Sequence, residues 1–276
     1  MRNLLRWLRG PGSPATGFGV KKVTESAQMS FRQRLLNRDL LIGTWVKTPS
    51  PIVCEVLGKT GLDVLCLDAE HAPFERLELD ACIAATRASG LTPLVRVPSA
   101  GPSNILNALD CGATGIVVPH VKSREDAEAI CRRSLYGPGG RGYAGSTRSA
   151  GFGGKSIAEQ LRESAEQTTI IAQIEDLGAL DAIDDIAGVE RVDCLFIGRI
   201  DLTVALGKTD PSDPAVIEAV EKICAAGKKA KKPVGMYVAD VEEVGHWIEK
   251  GASLFLLSSD QALLMAGARN LVAALR

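Results

Sequence analysis

Neither sign of charge is in excess in this 276-residue chain, which sets 32 lysines and arginines against 33 aspartates and glutamates. No global field therefore draws it to nucleic acid or to an anionic membrane. No apolar run reaches the roughly 18 residues needed to cross a bilayer, so no transmembrane segment is expected. Cysteines are not arranged as a disulfide framework: Cys54, Cys66, Cys82, Cys111, Cys131, Cys194 and Cys224 are odd in number, scattered singly and mostly set in apolar runs. They read as small buried hydrophobes, and that usage points to a reducing cytoplasm. The first Gly-rich turn of a dinucleotide-binding sheet is missing, and no internal repeat is visible. Histidine is scarce, with three in all. What remains is an ordinary globular composition, 46% apolar, long enough for one large core or two smaller ones.

Residues 1–28 stand apart. They carry Arg2, Arg6, Arg9, Lys21 and Lys22 but no acid before Glu25, and glycine, proline and serine accumulate after Leu8. A basic leader or a disordered tail has this makeup, and "MSFRQRLLNRD" from Met29 reads as the natural start of a single domain over 29–276.

After Arg34 the chain alternates short apolar runs with longer amphipathic ones. Strands are expected at 40–46, 63–68, 93–97, 115–120, 169–175, 194–198, 233–238 and 253–259. Helical patterns lie between them, among them "PSNILNALDCG", "SREDAEAICRRS" opened by a capping Ser123, and "PAVIEAVEKICAAGKKAK". Strands apolar on both faces and alternating with helices imply a covered parallel sheet. Eight such units in about 240 residues predict an α/β fold of the closed (β/α)₈ barrel type, a TIM barrel. Only 136–156, "YGPGGRGYAGSTRSAGFGGKS", lacks an apolar period, and a loop of that length is usually functional or disordered.

Chemistry in such barrels sits at the C-terminal ends of the strands. There the sequence places Trp45 and Lys47, then Asp68, Glu70 and His71, then Arg96, His120, Gln173 and Glu175, Arg199 and Asp201, Tyr237 and Asp240, and Ser258, Ser259 and Asp260. Glu175 and Asp201 come from neighbouring strands, about 5 Å apart in a sheet, and two like charges need a cation. Hard ions such as Mg²⁺ or Mn²⁺ accept one or two carboxylates and complete their shell with water and substrate oxygens. A carbonyl placed there is polarised, Arg96 is a second donor to its oxygen, and His71 is the near-neutral proton carrier, so the set fits enolate formation. Blander readings stand beside these. Asp68 caps the following turn or acts directly; Glu175 and Asp201 form a metal site or a solvated pair; Arg96 faces the chemistry or is buried against Asp110 or Glu70. His120 reads as a satisfied structural histidine and His246 as a helix-face residue, while Tyr237 and Trp45 either meet substrate or pack the barrel top.

The ordered segments "LDAEHAPFE", "LVRVP", "LDCGATGIVVPHV", "YGPGGRG", "TRSA", "QIED", "FIGRIDLTVALG" and "AAGK" resemble the HpcH/HpaI family of metal-dependent, class II pyruvate aldolases, from about Leu40 to the C-terminus. The resemblance implies reversible retro-aldol cleavage of a 4-hydroxy-2-oxo acid to pyruvate and an aldehyde through a metal-bound enolate. In that reading Glu175 and Asp201 hold Mg²⁺ or Mn²⁺, with Co²⁺ a third candidate; Arg96 holds the keto oxygen; and His71, oriented by Asp110 near a subunit boundary, is the acid/base. Asp68 and Glu70 support the metal water and the histidine, Gln173 sits beside the metal, and the amides around Ile200 and Asp201 receive the pyruvate carboxylate. Tyr237 contacts substrate, and Trp45 and Arg199 are specificity candidates. The partners implied are a small keto acid and an aldehyde, with no nucleic acid or membrane. The assembly implied is a homohexamer, a trimer of dimers exchanging the C-terminal helix "QALLMAGARNLVAALR". Two features depart from the pattern: "GRIDLT" stands where "GPxDLS" is usual, so Arg199 replaces a proline, and the leader before Met29 has no counterpart. Arg199 either enters the mouth or turns outward to Asp193 or Asp213. Related enolate chemistry, a citrate-synthase-like condensation or oxaloacetate decarboxylation, is the alternative, and a non-catalytic scaffold barrel is the third reading.

Overall fold

The computed structural model describes residues 29–276; the basic extension at 1–28 lies outside the described residues. Eight parallel strands close in chain order into one barrel: β1 (Leu41–Val46), β2 (Val64–Asp68), β3 (Thr92–Arg96), β4 (Gly115–Val118), β5 (Thr169–Ile174), β6 (Cys194–Ile197), β7 (Val234–Val238) and β8 (Ala252–Ser259). The described helices are α1 (Phe31–Leu36), α2 (Pro51–Leu57), α3 (Arg76–Ala88), α4 (Pro102–Asp110), α5 (Arg124–Ser134), α6 (Ile157–Gln167), α7 (Leu177–Asp181), α8 (Ile183–Ala187), α9 (Arg199–Ala205), α10 (Pro214–Lys229), α11 (Val244–Glu249) and α12 (Asp260–Ala273). The expected (β/α)₈ barrel is the observed fold, and each strand falls within two residues of its expected bounds.

Several helices start where a side chain meets unpaired backbone groups. Ser123 accepts from the Asp126 N–H at 3.2 Å to open α5, and Asp213 caps α10 with Pro214 in its first turn. Helix α10 buries Val216, Ala219, Val220, Ile223 and Cys224. That is the 3–4 residue spacing of one apolar stripe, each large aliphatic contributing roughly 1.5–3 kcal/mol of burial.

Two cores follow from the period-2 alternation of strands. Leu65, Leu67, Val95, Ile116, Ile170, Ala172 and Ile174 point outward into the layer beneath the helices. Inside the barrel lie Leu41, Val64, Cys66, Leu94, Val117, Ile171, Cys194, Phe196, Leu254 and Leu256, joined by Phe31 and Leu35 of α1. Continuing the inward series by one step at the C-terminal end turns it polar. Cys66 is followed by Asp68, Leu94 by Arg96, Ile171 by Gln173 and then Glu175, and Trp45 by Lys47. The mouth is therefore the top layer of the same alternation that fills the barrel.

The 136–156 connection is anchored by ion pairs, although Tyr143 and Phe152 on it are exposed. Arg141 is buried and donates to Asp110 at 3.1 Å and to Tyr136, Arg148 pairs with Asp80, and Lys155 with Glu163. A 3₁₀ turn spans Arg148–Gly153.

Candidate active site

Strand register puts Asp68 directly beside Arg96. Arg96 Nε and Nη2 donate to Asp68 Oδ1 and Oδ2 at 2.9 and 2.8 Å, and Nε also lies 3.3 Å from Glu70 Oε2. The guanidinium carbon sits 4.2 Å from the centre of the Trp45 ring, and Trp45 in turn meets Phe196 edge to face. Lys47 Nζ approaches Asp68 Oδ2 at 3.3 Å. Asp68 also accepts the His71 N–H at 3.2 Å, so it both caps the turn and anchors the arginine. Burial acts to raise the Asp68 carboxyl, but the Arg96 bonds outweigh it and hold the group below the usual carboxylate range. At Glu70 burial wins over the attraction of Arg96 and pushes the carboxyl up. Of the two ion pairs considered for Arg96, the one with Glu70 is present; Asp110 bonds Arg141 instead.

Glu175, 2% exposed at its side chain, is the other fixed point. Its Oε1 accepts the His120 N–H at 2.8 Å, and its Oε2 accepts from Gln173 Nε2. The carboxylate passes beneath Gly198, where an added Cβ would fall 2.7 Å from Glu175 Oε2; only glycine leaves that space. Gly198 opens α9, whose first turn holds Arg199, Ile200 and Asp201, and first-turn amides have no carbonyl four residues back to bond.

Asp201, Ile200, Gln173, Arg96, His71, Tyr237, Trp45 and Lys47 all border one cavity of about 320 Å³ at the mouth, large enough for a small keto acid and a short partner. His71 is on its rim, with a side chain 56% exposed and Nε2 at 3.8 Å from Glu70 Oε2. His246 lies on α11 beside Trp247, as a helix-face residue.

The placements of three further residues bear on their sequence expectations. Arg199 borders the mouth cavity, the first of its two expected placements, and turns to neither Asp193 nor Asp213: its Nη1 meets Glu243 Oε2 at 2.5 Å and its Nε the Pro211 carbonyl at 3.0 Å. Asp193 is occupied by Arg32 and Arg191, and Asp213 by Lys208. The guanidinium thus ties the loops after β6 and β7 together. Asp110 bonds Arg141, and among the described residues it makes no hydrogen bond or ion pair with His71. It ends α4 and borders one pocket with Arg76 and Asp80 of α3, the helix that follows His71. His120 departs from a satisfied interior histidine: its side chain is 57% exposed and faces Glu70, Glu175 and Asp176. Its place at the end of an apolar strand run is the signal that marks it. Gly198, which makes room for Glu175, carries no such signal in the sequence.

A divalent ion fits these residues. Ligand atoms of Glu70, His120 and Glu175 lie within 4.8 Å of one another. The buried oxygens Glu70 Oε2 and Gln173 Oε1 have no hydrogen-bond partner, and the donors are mostly hard oxygens.

The comparisons with known proteins agree with one another. The family model described as HpcH/HpaI aldolase/citrate lyase matches residues 41–266. A 5-keto-4-deoxy-D-glucarate aldolase of Salmonella arizonae is 35% identical over 243 residues, 87% of this chain and 94% of that protein. An HpcH/HpaI aldolase/citrate lyase family protein from Burkholderia cenocepacia superposes with a TM-score of 0.85 at 33% identity, covering 89% of this chain and 98% of the other. The citrate synthase SbnG superposes with a TM-score of 0.80 at 30% identity, covering 89% and 96%.

Proposed function

The chain belongs to the HpcH/HpaI aldolase/citrate lyase family, and on that premise we propose that it is a carbon–carbon lyase reversibly cleaving a 4-hydroxy-2-oxo acid into pyruvate and an aldehyde. The observation that carries this reading is that one cavity is lined by a clamped and buried Arg96, by Asp201 and by Gln173, and that Gln173 in turn donates to the buried Glu175 carboxylate.

Glu175 and Asp201 would hold a divalent ion, Mg²⁺, Mn²⁺ or Co²⁺, which when bound supplies Lewis-acid polarisation of the keto group. The remaining work falls to the chain's own groups. The first-turn amides of α9, around Ile200 and Asp201, receive the substrate carboxylate at the positive end of the helix. Arg96 donates to the keto oxygen through hydrogens not taken by Asp68, and its charge opposes the negative charge that grows there. His71 takes the proton of the 4-hydroxyl; the bond between C3 and C4 breaks, the aldehyde leaves, and its electron pair becomes the enolate. Protonation of C3 then gives pyruvate. Gln173 fixes the Glu175 carboxylate, Glu70 lies against both Arg96 and His71, and Tyr237 and Trp45 wall the cavity.

The substrate named for the Salmonella relative is a dicarboxylate, and its cleavage in this manner leaves the second carboxylate on the aldehyde. Lys47 and Arg199 are the mouth cations suited to such a group: both line the cavity, and among the described residues each forms one ion pair, Lys47 with Asp68 and Arg199 with Glu243. Asp110 would orient His71 from a neighbouring subunit. Helix α12 supports a homo-oligomer, a hexamer with exchanged C-terminal helices, because Leu263, Leu264, Met265, Leu271 and Val272 along it are exposed. No described helix is long and apolar enough to cross a membrane, and the seven cysteines are buried and unbridged, which supports a cytoplasmic enzyme of small molecules.

Pyruvate release from a 4-hydroxy-2-oxo acid, followed with and without EDTA, is the test. Activity should vanish with chelator and return with Mg²⁺ or Mn²⁺; full activity after thorough chelation sinks the reading. A second reading, condensation of an enolate with a keto acid, is favoured by the likeness to a citrate synthase. Product analysis after incubation with oxaloacetate and with aldehydes separates the two.

A further inference from the structure

His120 is a rim residue for which the reaction above has no use, yet the backbone is bent to place it. Its φ is +56°, a left-handed conformation that non-glycine residues seldom adopt and that persists only where surroundings enforce it. The enforcement is visible: the His120 N–H is held by Glu175 Oε1 at 2.8 Å. The ring then lies among three carboxylates. Its Nδ1 is 3.0 Å from Asp176 Oδ2 and 3.3 Å from Glu175 Oε1, and its Nε2 is 3.9 Å from Glu70 Oε1. With the Nδ1 hydrogen given to Asp176, Nε2 keeps its lone pair and faces the cluster, the carboxylate–histidine arrangement that orients imidazoles on metal ions. Ligands on one ion with bonds of about 2.1 Å stand roughly 3 to 4 Å apart, so small rotations bring these atoms onto a common centre. A second observation points to a ligand here. Gln173, 1% exposed, is pinned to Glu175 through its Nε2, while its buried Oε1 has no partner.

We propose that His120 is a protein ligand of the divalent ion, adding an imidazole nitrogen to Glu175 with Glu70 at its side, so that the site favours Mn²⁺ and Co²⁺ over Mg²⁺. The inference rests on the reading that an ion sits at Glu175. Imidazole is a softer donor than carboxylate or water, so it strengthens binding of the later transition ions and adds little for Mg²⁺, which prefers oxygen.

Pulsed electron paramagnetic resonance of Mn²⁺ bound to the full chain without substrate reads the bond directly. The wild type should show hyperfine coupling to a coordinated nitrogen, altered by isotope-labelled histidine and absent in His120→Gln and His120→Phe. No nitrogen coupling in the wild type, which requires no variant to fold, overturns the proposal; so does coupling that survives in a folded variant. In calorimetry, His120→Gln should weaken Co²⁺ and Mn²⁺ binding by about 10-fold or more and leave Mg²⁺ nearly unchanged, whereas an equal loss for all three refutes the selectivity. Glu175→Gln separates the two levels. If it binds Mn²⁺ as tightly as wild type, the ion site itself is misplaced; if it loses the ion while the wild type lacks nitrogen coupling, only the role of His120 fails.

Discussion

Arg96 is held in a way that few residues could imitate. Both oxygens of Asp68 take its planar fork, and the Trp45 face supports it from one side, leaving the other hydrogens for the cavity. Lysine has neither the fork nor the stacking plane. Arg96→Lys should therefore lower kcat/KM by about 10²- to 10³-fold, the usual loss for one oxyanion donor, with the far-ultraviolet spectrum unchanged; steady-state kinetics beside circular dichroism checks both. Asp68→Ala leaves a buried guanidinium without its principal counter-charge and should cost about 3–5 kcal/mol in denaturant unfolding. The residue types at this site were readable from the chain, since polar groups end apolar runs. The partner of Arg96 was not: pairing with Asp68 is a matter of strand register, which joins positions 28 apart.

At the scale of elements, the junction of β6 and α9 decides whether Glu175 can serve. A Cβ on Gly198 would lie 2.7 Å from both Cβ and Oε2 of Glu175. Because β5 and β6 are paired neighbours, the backbone has little freedom to retreat. Gly198→Ala should keep the barrel yet weaken Mn²⁺ binding at least about 10-fold, measured by calorimetry; unchanged affinity shows that the carboxylate position is not critical. Helix and strand periods revealed the elements themselves, since burial fixes them locally. The loop at 136–156 carried no such period. Its order comes from long-range ion pairs, Arg148 with Asp80 and Arg141 with Asp110, which no local pattern announces.

The whole molecule adds two consequences. Among the described residues Asp110 is held by Arg141 and has no bond to His71, so the proposed joint role is one between two subunits. Mixing separately inactive Asp110→Asn and His71→Ala proteins under subunit exchange should restore part of the activity, because one kind of hybrid site then holds both native groups. Persistent inactivity in verified mixed oligomers excludes the shared site. The buried thiols give a pH signature. Burial pushes Cys131 and Cys224 up to about 11 and Cys66 and Cys194 higher still, whereas an unfolded thiol ionises near about 8.5. The folded state therefore keeps protons that the unfolded chain releases; the contribution is complete below about pH 8.5 and is lost as pH rises through about 11. Unfolding free energy should fall across that window, and the native thiols should resist alkylation at pH 8. By itself the sequence determined the alternation of eight strands with helices and the rim on which charged groups gather, because side-chain period and burial are local properties of a chain. Only the tertiary structure decided which rim groups meet: Arg96 with Asp68, Glu175 with His120, Arg199 with Glu243, and Asp110 with Arg141. Those pairings depend on register and on the space left by one glycine, and each joins residues whose separation along the chain carries no trace of their separation in space.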